Sequence, residues 1–342
     1  MCIRDSPRGQ TAYLVHHRSA TTQRVRIAAT QDGRITAFAH EGVAAQNDDA
    51  RFLEPIPFGS LPLYGGENRR FRTDLVRLDL PATGAVRAPG EAIGTFAVEC
   101  AMDELAERLG LDPVELRRIN EPDVDPVSGK PFSTRRLLDC YDEGARRFGW
   151  DQRNRTPGAR REGEWLIGHG MAAALRGNFT VKAEAEVRLE ANGRAVVACD
   201  MTDIGTGTYT ILAQTAAETL GVPLDKVVVR LGDSTFPVSC GSGGQWGGNN
   251  STAGVYAACM KLRGMVAKQA GLGDDAEFAD GQVRGGAKSA PLSSFAGLVA
   301  EDGIEYGDLD KRYQQSTFGG HFVEVAVDAM TGEIRVRRML AV

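Results

Sequence analysis

Cysteine pairs, long apolar runs and a charge excess of one sign are all missing from this sequence, and each absence removes a class of function. The six cysteines stand at positions 2, 100, 140, 199, 240 and 259, with no Cys-x-x-Cys pair and no spacing suited to zinc or an iron–sulfur cluster. Several have alanine or other apolar neighbours, as buried thiols do. The five histidines are equally scattered, so no metal held by protein ligands is expected. No run approaches the ~18 apolar residues that a membrane-spanning helix needs, and the first residues have no apolar stretch of the secretory kind. Forty basic against 45 acidic residues leave a net charge of −5 with both signs interleaved, which argues against a nucleic-acid binder.

What is present is enough for two domains. At 342 residues, 42% hydrophobic and 25% charged, the chain can bury two cores of ordinary size. It is expected to enter a strand almost at once, over residues 12–16, and to end inside another strand pattern at Val342, so both ends read as cut from a longer polypeptide.

Alternation over 24–38 around Asp32-Gly33 predicts a hairpin, with the pair suited to a type I′ turn. Strand-like residues 74–80 lead to Gly84-Ala-Val-Arg87-Ala-Pro-Gly90, a loop stiffened by Pro89 and freed by its glycines. Alone, an arginine there reads most simply as a surface cation. A helix follows, with Val98, Met102, Leu105 and Leu109 as one apolar stripe and Gly110 as its end. Asp112-Pro113-Val114-Glu115 is a helix start, and Ser133 is expected to cap a helix running to Gly149 with Leu137, Leu138 and Tyr141 inward. Residues 151–164 are polar and patternless and are expected to be a linker, dividing a domain over 1–150 from another over 165–342.

In the second half, alternation over 183–199 predicts a hairpin at Asn192-Gly193, and residues 322–336 predict another at Met330-Thr331-Gly332. Residues 271–295 are rich in Gly, Ala and Asp and weakly ordered in pattern. Two glycine loops each run directly into a helix. Ile204-Gly205-Thr206-Gly207-Thr208 precedes a helix over 209–220, and residues 239–252, containing Gly243-Gly244-Gln245-Trp246, precede one over 253–268. Amides at a helix N-terminus lack partners and can meet anions or the polar edge of a heterocycle. Neither loop is a Walker or dinucleotide motif, and Cys240 stands where a nucleophile elbow needs glycine. No carboxylate pair or triad supports a hydrolase. Two such loops together point to an extended polar cofactor.

Gly84–Ala92, Met102-Asp-Glu-Leu-Ala106 and Asp112-Pro-Val-Glu-Leu-Arg-Arg-Ile-Asn120, with the two loops and Val255-Tyr-Ala-Ala-Cys259, closely resemble the large subunit of the molybdenum hydroxylases. This is the family of xanthine dehydrogenase and aldehyde oxidase, and its bacterial aldehyde-oxidase-like branch resembles the chain most, from about residue 13 to residue 342. The resemblance implies an α+β fold of two elongated mixed α/β domains of the molybdenum-cofactor-binding type, truncated at both ends. The domain over 1–150 would be the later part of the first, and that over 165–342 the first part of the second.

The cofactor implied is molybdenum bound by molybdopterin cytosine dinucleotide, with no protein ligand to the metal. Ile204, Gly205, Thr206 and Gly207 would contact it, as would Gly243, Gly244, Gln245 and Trp246. Arg87 would stand beside the molybdenum, and Arg176 would face the substrate and polarise its oxygen. The implied reaction hydroxylates an aldehyde, or a related electrophilic carbon such as that of an N-heterocycle, with oxygen from water. Its electrons would leave through [2Fe-2S] centres and FAD on partner subunits. The location would be cytoplasmic, or periplasmic by co-export with a partner.

Two family features have no counterpart in the sequence. The Gly-rich motif with the catalytic glutamate is absent, since Gly303-Ile-Glu-Tyr-Gly307 comes too early and does not match, and a Gly-Gly-Phe-Gly-type loop before the first hairpin is missing. Gln245 and Trp246 also replace smaller residues. The chain alone is therefore expected to be inactive. The alternative is a non-catalytic cofactor-binding or assembly module.

Overall fold

Helix α1 (Arg8–Leu14) opens the described chain, where a strand was expected; none of its side chains is buried, so no core face gives the stretch a period to read. The structure, a computed structural model, describes residues 7–48, 52–304 and 306–342, and Cys2 and Glu305 lie outside them. Strands β1 (Thr21–Ala29), β2 (Ile35–Gln46) and β3 (Asn68–Arg77) follow, then helices α2 (Glu91–Leu109), α3 (Pro113–Ile119) and α4 (Leu137–Phe148). Strands β4 (Arg160–Glu162), β5 (Trp165–Gly177), β6 (Ala183–Leu189) and β7 (Ala195–Cys199) lead to α5 (Thr208–Leu220), β8 (Val227–Leu231) and α6 (Thr252–Ala270). The chain continues through β9 (Glu277–Ala279), β10 (Gln282–Gly285), β11 (Lys288–Pro291) and β12 (Val299–Ile304). It finishes with α7 (Leu309–Arg312) and the hairpin of β13 (Ser316–Asp328) and β14 (Ile334–Ala341).

Mixed α and β elements of this kind are the expected fold class. One compact unit joins Arg8–Gly177 to Arg312–Val342, and the other is built on Asn178–Lys311. The expected linker at 151–164 holds a 3-10 turn at Trp150–Gln152 and strand β4, which pairs with β5 through Arg160↔Ile167. Backbone groups make that strand while its side chains stay largely outside, which is why no apolar pattern marks it.

In the first unit β2 pairs antiparallel with β1 and parallel with β3, and a second sheet has the order β14-β13-β5-β4. The β1–β2 turn is not type I′. Gly33 is left-handed at φ +91° while Asp32 is not, and the Gly33 amide donates to Thr30 O at 2.9 Å, so the glycine alone absorbs the unfavourable geometry. On α2, Val98 and Met102 are fully buried and Leu105 and Leu109 pack at the margin of the same core. Gly110, left-handed, closes the helix, and the Asp112 carboxylate caps α3 by accepting from Val114 N at 2.9 Å. Ser133 is not a cap: α4 begins after Arg136, and the Ser133 amide instead donates to Gln314 O.

Two buried polar clusters fix these elements. Glu99 on α2 accepts from Arg117 Nε at 2.8 Å, Ala173 N at 2.7 Å and Tyr64 OH at 2.6 Å, tying α2 to α3, β5 and the loop before β3. Burial opposes the charge on Arg117, but Glu99 beside it holds the guanidinium protonated. His40 on β2 lies between Ser60 Oγ at 2.7 Å and Gln23 Oε1 at 3.0 Å, and burial pushes its pKa down to about 4.

The second unit has a sheet of order β12-β6-β7-β8, with β7 and β8 parallel. Val187 and Val197 of this sheet share a core with Leu212 of α5 and with Val255, Cys259 and Leu262 of α6. Residues expected to be weakly ordered form the three-stranded sheet β11-β10-β9, whose short strands leave most side chains partly exposed.

Candidate cofactor site

The two glycine loops of the second unit meet. Ser242 Oγ accepts from Thr202 N at 3.1 Å, just ahead of the first loop. A Cβ at Gly247 would stand 3.0 Å from Met201 Cε and 3.4 Å from Thr208 Oγ1, so the second loop passes close against the first. Cys240, Ser239 and Ser251 brace the second loop from inside. Cys240 Sγ lies 3.3 Å from Ser251 Oγ and 3.5 Å from Trp246 O, and the Ser239 and Ser251 hydroxyls are 2.9 Å apart. Asn250, fully buried, accepts from Val181 N at 2.8 Å and donates to Phe179 O at 3.1 Å.

The first loop differs from the simple anion cradle that its sequence suggests. Asp203 Oδ1 accepts from Gly205 N at 2.7 Å and Thr206 N at 3.0 Å, and Oδ2 receives Tyr209 N at 3.4 Å. Desolvation raises the pKa of this carboxyl, but those backbone donors outweigh it and hold the group below its ordinary range. The chain's own carboxylate thus fills the amides at the start of α5. The signal was there to read, because an Asp two residues ahead of a glycine turn commonly takes such bonds.

The second loop keeps its donors open. Among the described residues, the amides of Gly243 and Gly244 have no hydrogen-bond partner. Trp246 Nε1 is buried and also has none. Gly244, left-handed at φ +50°, brings its Cα so close that a Cβ would stand 2.9 Å from that indole nitrogen. Cβ atoms built at Gly205, Gly207, Gly241 and Gly243 would meet nothing within 4 Å, although each has positive φ. Gln245, left-handed at φ +57° where a side chain costs about 1 kcal/mol, donates from Nε2 to Asn178 Oδ1 at 3.2 Å. Ile204 is 65% exposed. An orphaned indole N–H, two free amides and glycines facing open space fit a polar, planar ligand edge. Among the described residues no His, Cys, Asp and Glu group could hold a metal ion, and no helix is long and apolar enough to cross a membrane.

The two arginines lie in the first unit. Arg87 is exposed, and its guanidinium has no bond among the described residues. Arg176, at the end of β5, is ion-paired through Nη1 with Glu91 Oε1, in the first turn of the helix that follows the Arg87 loop. Both arginines therefore attach to the N-terminus of α2. Glu91 and Glu54 hold this region and are nearly inaccessible; Glu91 stands in the Gly84–Ala92 stretch and in the acidic first turn of α2, whereas Glu54 carries no motif.

The molybdopterin cofactor-binding domain descriptions match residues 6–121 and 143–342. The chain is 55% identical to the aldehyde oxidoreductase molybdenum-binding subunit PaoC of Escherichia coli K12, covering 98% of this chain and 46% of PaoC. It is 28% identical to the probable hypoxanthine oxidase XdhD of the same organism, over 93% of this chain and 36% of XdhD. The chain thus spans less than half the length of these relatives. Among solved structures, quinoline 2-oxidoreductase from Pseudomonas putida 86 has the same fold, with a TM-score of 0.82 at 22% identity over 95% of this chain and 47% of that one. Taken with the convergent glycine loops, these matches establish that the chain belongs to the molybdopterin-binding domains of the xanthine dehydrogenase and aldehyde oxidase family.

Proposed function

We propose that this chain forms the cofactor-holding part of the molybdenum-binding subunit of an aldehyde oxidoreductase. The observation that carries the reading is the second glycine loop, where the free amides of Gly243 and Gly244 adjoin the unpartnered indole N–H of Trp246. Gly243, Gly244 and Trp246 would donate to the pterin edge, with Gln245 and the Ile204–Gly207 turn closing around it. Asp203 fixes that turn without offering its amides to an anion. Bound there, the cofactor would supply the redox chemistry, accepting two electrons from the substrate carbon.

Arg87 would hold the substrate oxygen by charge. Arg176 would help through the donors that its pair with Glu91 leaves free, since a guanidinium has five N–H groups. The base would be a glutamate in the further length of polypeptide that the relatives have. The cytosine dinucleotide form of the cofactor, and [2Fe-2S] and FAD carriers on partner subunits, belong to the same proposal.

The experiment is expression of the full-length subunit with its partners under conditions that support cofactor synthesis. Molybdenum should be present, and an aldehyde should be oxidised with a dye acceptor. Absence of molybdenum would overturn the proposal, and molybdenum without turnover of aldehydes or N-heterocycles would favour the non-catalytic alternative.

A further inference from the structure

We propose that Glu54, acting with Arg18, is a positioning residue for Arg87; this rests on the reading above, in which Arg87 meets the substrate. Glu54 Oε1 accepts two bonds, from Arg18 Nη1 at 3.0 Å and from Gly90 N at 2.6 Å. Arg18 uses its other terminal nitrogen to donate to the carbonyl oxygen of Arg87. The chain from Arg87 to Gly90 is therefore gripped at both ends by one ion pair. Between those ends Ala88 is held in unfavourable geometry at φ +56°, and Gly90 takes a φ of +80° that glycine tolerates. Gly90 also lies against the residue after Glu54, where a Cβ would come within 2.3 Å of Pro55 O.

The burial of Glu54 argues that the clamp serves geometry. The residue is inaccessible, and among the described residues its Oε2 has no hydrogen-bond partner. A buried carboxylate with half of its acceptors unused is a poor source of stability, because desolvation cancels much of the attraction to its one cation. What the pair does supply is a fixed backbone on which the Arg87 side chain projects, with no bond to another described residue. A group that must meet a reacting atom gains from such support, since a misplacement of about 1 Å can cost up to about a hundredfold in rate.

The test uses the full-length subunit with its partners, benzaldehyde as probe and a dye acceptor. Glu54→Gln and Arg18→Met should each lower kcat/KM about tenfold with molybdenum content unchanged. Hydrogen exchange of a peptide spanning residues 84–96 should rise in both. With Arg87→Ala already in place, adding Glu54→Gln should change kcat/KM no further, because the carboxylate acts only through that side chain. A further loss in the double variant, or unaltered exchange over 84–96, would overturn the inference while leaving the role of Arg87 standing. Wild-type kcat/KM in Arg87→Ala would sink that role and this inference with it. Should Glu54→Gln fail to accumulate, Arg18→Met carries the same test, since its side chain is partly exposed.

Discussion

Arg176 Nη1 lies 2.5 Å from Glu91 Oε1 and joins the end of β5 to the first turn of α2. The pair changes what Arg176 can do. An arginine expected to reach toward substrate has its guanidinium plane set by a carboxylate that is itself 3% exposed. Among the described residues Glu91 Oε2 has no partner, so the carboxylate depends on this one cation.

Arg176→Ala should therefore destabilise the chain by about 3 kcal/mol, because it leaves a buried charge uncompensated. Adding Glu91→Gln should recover part of that loss by removing the orphaned charge. Urea unfolding of the two variants checks this, and equal midpoints for wild type and Arg176→Ala would show that the pair contributes nothing.

His40 predicts a pH dependence. Its folded pKa, about 4, lies below the ordinary histidine value because burial disfavours the cation. The unfolded chain therefore binds the proton first as pH falls, and the stability from keeping this ring neutral is complete above about 6.5. It is lost progressively from about 6.5 down to about 4, by about 3 kcal/mol in all. Chemical denaturation at pH 7, 5.5 and 4.5 should follow that slope, and His40→Gln, which can still bond Ser60, should flatten it.

How far the sequence could be read follows from what each element exposes. The stripe of α2 and the hairpins at Asp32-Gly33 and Asn192-Gly193 bury one face, so their period is written in apolar residues. Strand β4 and the sheet of β9 to β11 are made by backbone pairing with little burial, and polar side chains carry no record of that. Contact order hid one pairing as well: β13 pairs with β5 from Ser316↔Gly177 to Asp328↔Trp165, a return that no local pattern announces. The glycine loops were legible as loops. That Asp203 fills one of them was signalled only by its place two residues ahead of the glycine turn, because which acceptor reaches an amide is settled by turn geometry.

Asp203→Ala should loosen the start of α5. The loss is that of the backbone bonds the carboxylate accepts, about 1 kcal/mol, and exchange of the Gly205, Thr206 and Tyr209 amides should accelerate. Because the folded carboxyl titrates below its unfolded value of about 3.9, its contribution is present above that pH and is lost as pH falls through the lower folded value. Protection of this turn should thus be constant from pH 5 to about 8 and weaken only in strong acid. A wild-type turn that loosened near pH 6 would contradict the assignment.

Trp246 separates stability from cofactor binding. Among the described residues its buried indole nitrogen has no partner, which costs free energy. Trp246→Phe removes that donor and keeps most of the ring that packs against the second unit's core. The substitution should leave the unfolding midpoint of this chain unchanged or raise it by up to about 1 kcal/mol in equivalent stability. In the full-length subunit the same change should lower retained molybdenum, since a hydrogen bond to the ligand would be lost with nothing to replace it. A variant that kept its full molybdenum complement would remove the indole from the set of cofactor donors.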